Sequence, residues 1–518
     1  MISLNCTRLK KLRPSVLCFH RHLFSYCKAR ERIIMDRQNL TLLTDFYELT
    51  MMQGYFKHRD ENKTVIFDAF FRNNPFGGGY SIMCGVEQLV RYIEDLHFSS
   101  QDIEYLRSTG IFDADFLDYL ADFHFHGDIY CMPEGSLIFP REPIVKVVAP
   151  IMEAQLVETA ILCIINHQSL IATKSARICY AAKGAPIMEF GLRRAQGPDA
   201  GTYGARAAVI AGCAGTSNVL CGELFDVPVL GTHAHSWIMS FDSEFEAFKT
   251  YAELYPSACT LLVDTYDTLG SGIPNAIRTF DYMKEKGLPL DHIGIRLDSG
   301  DLAYLTKKAR KMLDAAGYPQ AKICCSNDLD EHLINSLYQQ GACIDSFGVG
   351  THLITAKDNP SFGGVYKLAA VENKDGSFEP KIKLSENTEK ITNPGNKKVY
   401  RVYEKDSHKI KADLICFADE NFSEEEPLLL FDPMEPWKKT TLQPGEFTLR
   451  EMLTPLFLNG KCVYESRPTM EIRDYCLQEQ DTLWEESRRL DNPHQVYVDL
   501  SQKLYDTKLA LLAHGGQL

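Results

Sequence analysis

The amino-acid sequence predicts an α/β protein built around an irregular (β/α) barrel, with an α+β region before it and a β-rich, helical extension after it. Three observations carry this prediction. From about residue 183 to 351, short apolar runs alternate with amphipathic helical stretches, the pattern of a parallel sheet. Six of these runs end in polar clusters suited to chemistry, and in (β/α) barrels the site lies at the carboxyl ends of the strands. Neither G-x-G-x-x-G nor G-x-x-x-x-G-K-[ST] occurs, so no nucleotide fingerprint supports the runner-up, an open doubly wound sheet.

Composition narrows the class. The chain has 518 residues, 45% of them hydrophobic, enough for a large core and two or three domains. A net charge of −14 argues against general nucleic-acid binding. The 16 cysteines show no C-x-x-C pair and no zinc spacing, which predicts a reduced, cytoplasmic protein. No apolar run reads as long enough to cross a bilayer, so no membrane is expected. The first 34 residues hold eight Lys or Arg against one acid, Glu31, a charge of +7 against −21 for the remainder. Residues 1–38 therefore read as a basic, disordered extension; a start at Met35 and a mitochondrial presequence are the alternatives.

Residues 39–150 form the predicted N-terminal α+β domain. Thr44 or Asp45 caps a helix through Leu49, Met52 and Phe56, with Glu48 placed to reach back. Thr64–Phe71 reads as a strand. Pro75 and Gly77-Gly78-Gly79 make a loop before a strand at Tyr80–Gly85 and a helix at Val86–Leu96. Asp102–Phe123 holds two short amphipathic helices, and Gly127–Val148 reads as hairpins.

Residues 151–372 form the barrel. Glu153–Ala182 is one long helix or two. Ile187–Gly191 then leads to Arg193 and Arg194, and Val227–Leu230 leads to Gly231, Thr232, His233 and His235. Thr260–Val263 leads to Asp264, Thr265 and Asp267, and His292–Leu297 to Asp298, Ser299 and Asp301. Lys322–Cys325 leads to Ser326, Asn327 and Asp328, and Ser346–Val349 to Gly350 and Thr351. Between the last runs lies a helix, Leu302–Ala316, with one apolar face and Gly317 placed to stop it. Residues 373–518 are turn-rich, with a strand at Val399–Tyr403. Thr448–Leu458 and Pro468–Leu490 read as closing helices.

The clusters suit a phosphorylated sugar with magnesium. Arg193, Arg194 and Arg296 are fixed cations for carboxylate or phosphate. Gly348–Thr351 offers backbone N–H groups and a hydroxyl to a phosphate. Asp264, Asp267, Asp298 and Asp301 can hold Mg²⁺ or grip sugar hydroxyls, although Asp301 reads equally well as a helix cap. His233 and His235, two apart on an extended loop, point to opposite sides and do not share a ligand.

Six segments, in order, resemble the nicotinate phosphoribosyltransferase family: Leu43–Met52, Glu189–Gln196, Gly231–Ser236, Val263–Asp267, Arg296–Asp301 and Gly348–Thr351. The resemblance runs from about Asn39 to the C-terminal helices. It implies an irregular (β/α) barrel of the nicotinate/quinolinate phosphoribosyltransferase type and a homodimer with sites at the interface. The implied reaction joins nicotinate and 5-phosphoribosyl 1-diphosphate to give nicotinate mononucleotide and diphosphate. ATP is the implied co-substrate and Mg²⁺ the cofactor, with Mn²⁺ as the alternative; the metal ligands are unassigned. A nicotinamide or quinolinate phosphoribosyltransferase, or an inactive relative acting as a binding protein, are the rival readings.

By the same resemblance, His235 is the histidine phosphorylated by ATP, and His233 fills a variable position. Tyr47 and Phe190 sandwich the pyridine ring, Tyr47 from the other subunit. Thr232 and Arg296 contact nicotinate, and Arg193 lines the substrate site. Asp298 holds the ribose hydroxyls, Gly350 and Thr351 take the 5′-phosphate, and Arg72 reaches the diphosphate in trans. Ser217 stands where the related nicotinamide enzymes carry an aspartate, so it would favour a carboxylate over an amide.

Overall fold

The helix Phe46–His58 opens as its sequence suggests: the Thr44 hydroxyl hydrogen-bonds the Glu48 carboxylate, which also accepts from Thr159 Oγ1 at 2.8 Å. The computed structural model describes residues 39–58, 63–386 and 390–516. The basic extension lies outside them.

A seven-stranded sheet runs in the order Phe378–Pro380, Val365–Glu372, Thr64–Phe70, Val145–Pro150, Asp128–Cys131, Thr454–Leu458, Lys461–Cys462. All its neighbours are antiparallel, in registers such as Phe67 opposite Val147 and Val65 opposite Val371. It therefore joins the first strands of the chain to segments more than 300 residues later. Val365–Glu372, within the stretch read as barrel, belongs to this sheet. Thr448–Leu458, read above as helical, is instead two strands, Phe447–Glu451 and Thr454–Leu458. Long-range pairing with Lys397–Glu404 and Asp128–Cys131 overrides the local reading there.

The C-terminal region adds a four-stranded sheet, Phe447–Glu451, Lys397–Glu404, Ile410–Phe417, Tyr497–Leu500. Within it Arg401 is fully buried and meets Asp413 through two hydrogen bonds of 2.9 and 2.7 Å. Arg401 also donates to the Leu137 carbonyl at 2.8 Å, which ties this sheet to the N-terminal part.

Ile151–Leu156 and Glu158–Ala181 form the spine of the molecule. Contrary to the sequence reading, the stretch Ile151–Ala181 is long and apolar enough to cross a bilayer, but 72% of its apolar window is buried inside the protein. It is a core helix pair.

The parallel sheet has the order Gly215–Thr216, Ile187–Glu189, Ser346–Val349, Lys322–Asn327, Gly294–Leu297, Thr260–Leu262. Gly215–Thr216 went unread in the sequence. Val227–Leu230 meets the sheet at one bridge, Thr216 to Val229, with Leu230 N donating to Thr216 O at 2.8 Å. Among the described residues no strand ladder closes the sheet between Val229 and Thr260–Leu262. His233 sits at that seam, its Nε2 accepting the Leu262 N–H at 3.3 Å. The barrel is irregular in this sense: six strands in a ladder, one attached at a point, and a side-chain closure.

Candidate active site

The carboxyl ends of the parallel strands converge on a cavity of about 350 Å³. Of the residues singled out in the sequence, Phe190, Arg193, Ser217, Thr232, His235, Arg296, Asp298, Gly350 and Thr351 all line it. Arg194, His233, Ser326 and Gly348 line it too.

Arg296 is the central cation. It is the next-to-last residue of the strand Gly294–Leu297, and its guanidinium is braced on three sides. Nη1 donates to Ser326 Oγ at 3.1 Å and faces Asp298 Oδ1 at 3.4 Å; Nη2 donates to the His233 carbonyl at 3.0 Å. Its Nε is buried and has no partner among the described residues. Asp298 is braced in turn. The Ser326 hydroxyl donates to its Oδ1, and its own backbone N–H donates to Asp264 Oδ2 at 2.8 Å. Asp264 also accepts from Ser299 Oγ at 2.8 Å, so Asp264 positions the Asp298 loop.

His235 begins the short helix His235–Met239. Its Nδ1 lies 3.0 Å from Thr265 Oγ1, and its Nε2 lies 3.8 Å from Asp298 Oδ2. One ring nitrogen is thus held by a hydroxyl while the other faces the carboxylate and the cavity. His233 turns the other way, into the seam, where it packs edge-on to Tyr251. The two histidines divide as the loop geometry predicts.

Phe190 lies against the backbone of Gly348. A Cβ at that glycine would stand 2.5 Å from the ring, so only glycine lets the ring settle there. Gly350 precedes the turn of helix Thr351–Ile354, which places Thr351 at the cavity.

Glu189 lies in the segment Glu189–Gln196 and has a structural role of its own. It is buried, accepts from Thr216 Oγ1 at 2.6 Å and from the Gly191 N–H, and its carbonyl accepts the Ser217 N–H at 2.9 Å. Burial pushes its carboxyl above the usual range. It fixes Ser217 and Gly191 beside Phe190. The sequence signal was an acid at the end of an apolar run, two residues ahead of a glycine.

Two predicted residues stand off this cavity. Tyr47 is 45% exposed on helix Phe46–His58, with its hydroxyl beside Glu158; burial, and then the Glu158 charge, hold it protonated. Arg72 lines a separate hollow of about 750 Å³ with Arg141 and Lys508. Asp267 and Asp301 take the structural roles open to them: Asp267 accepts from Gly270 N at 2.9 Å, and Asp301 caps its helix through Tyr304 N at 2.9 Å. Among the described residues, no group of three or more His, Cys, Asp or Glu is arranged to hold a metal.

Chemically, the cavity pairs a rigid guanidinium and an aromatic face with a braced carboxylate, an imidazole and a threonine at a helix start. Comparisons with known proteins agree with this inventory. Residues 185–407 match the model of the nicotinate phosphoribosyltransferase family, 42–166 the family's N-terminal domain, and 396–508 its C-terminal domain. A nicotinate phosphoribosyltransferase of Bacillus subtilis is 45% identical over 471 residues, covering 91% of this chain and 95% of that protein. The Homo sapiens protein of that name is 32% identical over 521 residues, covering 89% and 95%. A crystal structure of human nicotinic acid phosphoribosyltransferase superposes with a TM-score of 0.78 at 28% identity, covering 90% of this chain and 99% of that one.

Proposed function

The chain belongs to the nicotinate phosphoribosyltransferase family, and from that premise we propose that it transfers the phosphoribosyl group of 5-phosphoribosyl 1-diphosphate to nicotinate, releasing diphosphate, in the salvage of nicotinate for NAD. The observation that carries this reading is the convergence of Phe190, His235, Arg296, Asp298, Gly350 and Thr351 on one cavity.

In this reading nicotinate stacks on Phe190, and its carboxylate pairs with Arg296, whose Nε is a buried donor lacking an acceptor. Thr232 lies alongside. Gly350 and Thr351 take the 5′-phosphate, and Asp298 holds the ribose hydroxyls. Breaking C1–O builds positive charge on the ribose while diphosphate departs toward Arg193. The unprotonated pyridine nitrogen then attacks C1, and the gain is chiefly orientation. Mg²⁺, or Mn²⁺, would arrive on the diphosphate and neutralise its charge. Asp298 and Asp328 are the carboxylates that line the cavity, and either could hold such a cation.

ATP is read as the co-substrate that phosphorylates His235. Thr265 steadies one ring nitrogen and leaves the other facing the cavity, and a phosphate there would reshape the pocket for phosphoribosyl diphosphate. The assembly is read as a cytoplasmic homodimer, in which Tyr47 and Arg72 serve the partner's cavity. Neither residue lines its own cavity, which supports this. So do the exposed apolar residues Val219, Leu220, Leu224 and Met239 on the short helices Val219–Phe225 and His235–Met239. The test is product identification after incubation with phosphoribosyl diphosphate and each pyridine, with and without ATP. Nicotinate mononucleotide is expected; a nicotinamide or quinolinate product, or none, overturns the reading.

A further inference from the structure

We propose that a second hollow, in the C-terminal region, binds a nucleotide whose base carries an exocyclic amino group. The hollow lies between the strands Ile410–Phe417 and Tyr497–Leu500 on one side and the hairpin Leu428–Phe431, Lys439–Leu442 on the other. It measures about 460 Å³ and shares no lining residue with the cavity at His235, while Asp432, His494, Val496 and Tyr497 also border the hollow at Arg72. Leu430, Phe431, Leu442, Trp484 and Val496 give it apolar walls. The Trp484 indole is fixed there by a 2.9 Å hydrogen bond to the Ile410 carbonyl.

Two polar side chains lining the hollow have atoms with no partner among the described residues: Asp499 Oδ1 and Ser487 Oγ, on residues only 4% and 1% exposed. Buried polar atoms are seldom left unsatisfied, and one beside a cavity is a place for a ligand to bind. Ionised, Asp499 only accepts, so in that form what its Oδ1 lacks is a donor. Burial, and then the charge of Asp432, push its carboxyl up to about 7, as befits an acid with no cation or donor beside it.

The rim has the opposite sign. Lys411, Lys438 and Lys439 line it; Lys411 pairs with Glu404 and Lys438 with Glu435, while Lys439 has no acidic partner among the described residues. Asp432 lines the hollow as well, so it is Lys439, the lysine without an acidic partner among the described residues, that favours an anionic tail. A neutral amino group on a flat aromatic base meets Asp499 and Ser487, the ring meets the apolar walls, and a phosphate meets Lys439. Together these features describe a nucleotide.

The test is calorimetric titration of the full chain with AMP, GMP and IMP, the last lacking the amino group. AMP or GMP should bind, with IMP roughly tenfold weaker or worse. Asp499→Leu and Lys439→Glu should each weaken that binding by roughly tenfold. Both should leave nicotinate turnover unchanged. Asp499→Leu should not lower the melting temperature, because it removes a buried acceptor that has no partner. Lys439 is on the surface, so its variant tests the site even if the Asp499 variant folds poorly. Failure of AMP and GMP to bind at millimolar concentration overturns the proposal. So does binding that neither variant weakens, which would place the nucleotide in the His235 cavity.

Discussion

His233 Nε2 accepts the backbone N–H of Leu262 across 3.3 Å, at the place where a further strand ladder would have closed the barrel. A neutral imidazole is needed for this, since a protonated ring has no acceptor. Burial supplies the bias, pushing the His233 pKa down to about 4.

That shift makes a stability prediction. The folded-state pKa lies below the ordinary value of 6.5, so the contribution is complete above that value and is lost as pH falls toward about 4. Between pH 7 and pH 5 the wild type should lose about 2 kcal/mol more than His233→Gln. Urea denaturation at the two pH values measures it, and equal losses in both proteins would contradict the seam.

His235→Ala should abolish an acid-labile phosphoenzyme formed from ATP and leave the fold intact. His233→Ala should keep the phosphoenzyme while lowering stability. Radiolabel transfer from γ-labelled ATP separates the two, and the reverse pattern would exchange the histidines' roles.

Thr351→Ala should weaken phosphoribosyl diphosphate binding by about 1–3 kcal/mol, the cost of one hydrogen bond to a charged group. Calorimetry gives the number directly. An unchanged dissociation constant would place the phosphate elsewhere in the cavity.

Tyr47→Ala and His235→Ala should complement each other. If Tyr47 serves the partner's cavity, a mixed dimer retains one intact site, and mixing the two inactive proteins restores part of the activity. Mixtures no more active than their parents would remove Tyr47 from the site.

Ser217→Asp should lower nicotinate turnover more than nicotinamide turnover. The new carboxylate would sit in a wall that Glu189 holds in place, repelling the nicotinate carboxylate and accepting from an amide. Steady-state kinetics with both pyridines checks it. Equal loss on both would mean that residue 217 does not face the ring substituent.

Much of the site was legible because its chemistry is local. Arg296, Asp298 and Thr351 fall at or just past apolar runs, so strand, turn and function lie within a few residues of one another. Gly215–Thr216 was illegible because a two-residue strand has no period to detect. Glu189 could be seen as a strand-end acid, but its role depends on Thr216, which sequence alone does not bring to it. The strand Thr454–Leu458 was read as helix because what holds it extended is Asp128–Cys131, far off in the chain. Tyr47 was placed by resemblance alone, since an aromatic on an exposed helix face carries no such signal.

The sheet shared by the two ends of the chain has a consequence for synthesis. Thr454 donates to the Cys131 carbonyl across 323 positions of sequence, so Asp128–Cys131 emerges long before its neighbour exists. Until then the nascent chain presents an unpaired edge, a template for the wrong partner. The parallel barrel can assemble during translation, but the flanking sheet must wait until Thr454–Leu458 and Lys461–Cys462 are made. A stop codon just before Thr454 would therefore remove more than a tail: it would strip the edge of the earliest-made sheet. Pulse-chase solubility of ribosome-released fragments ending before and after Leu458 would show aggregation switching off across those few residues.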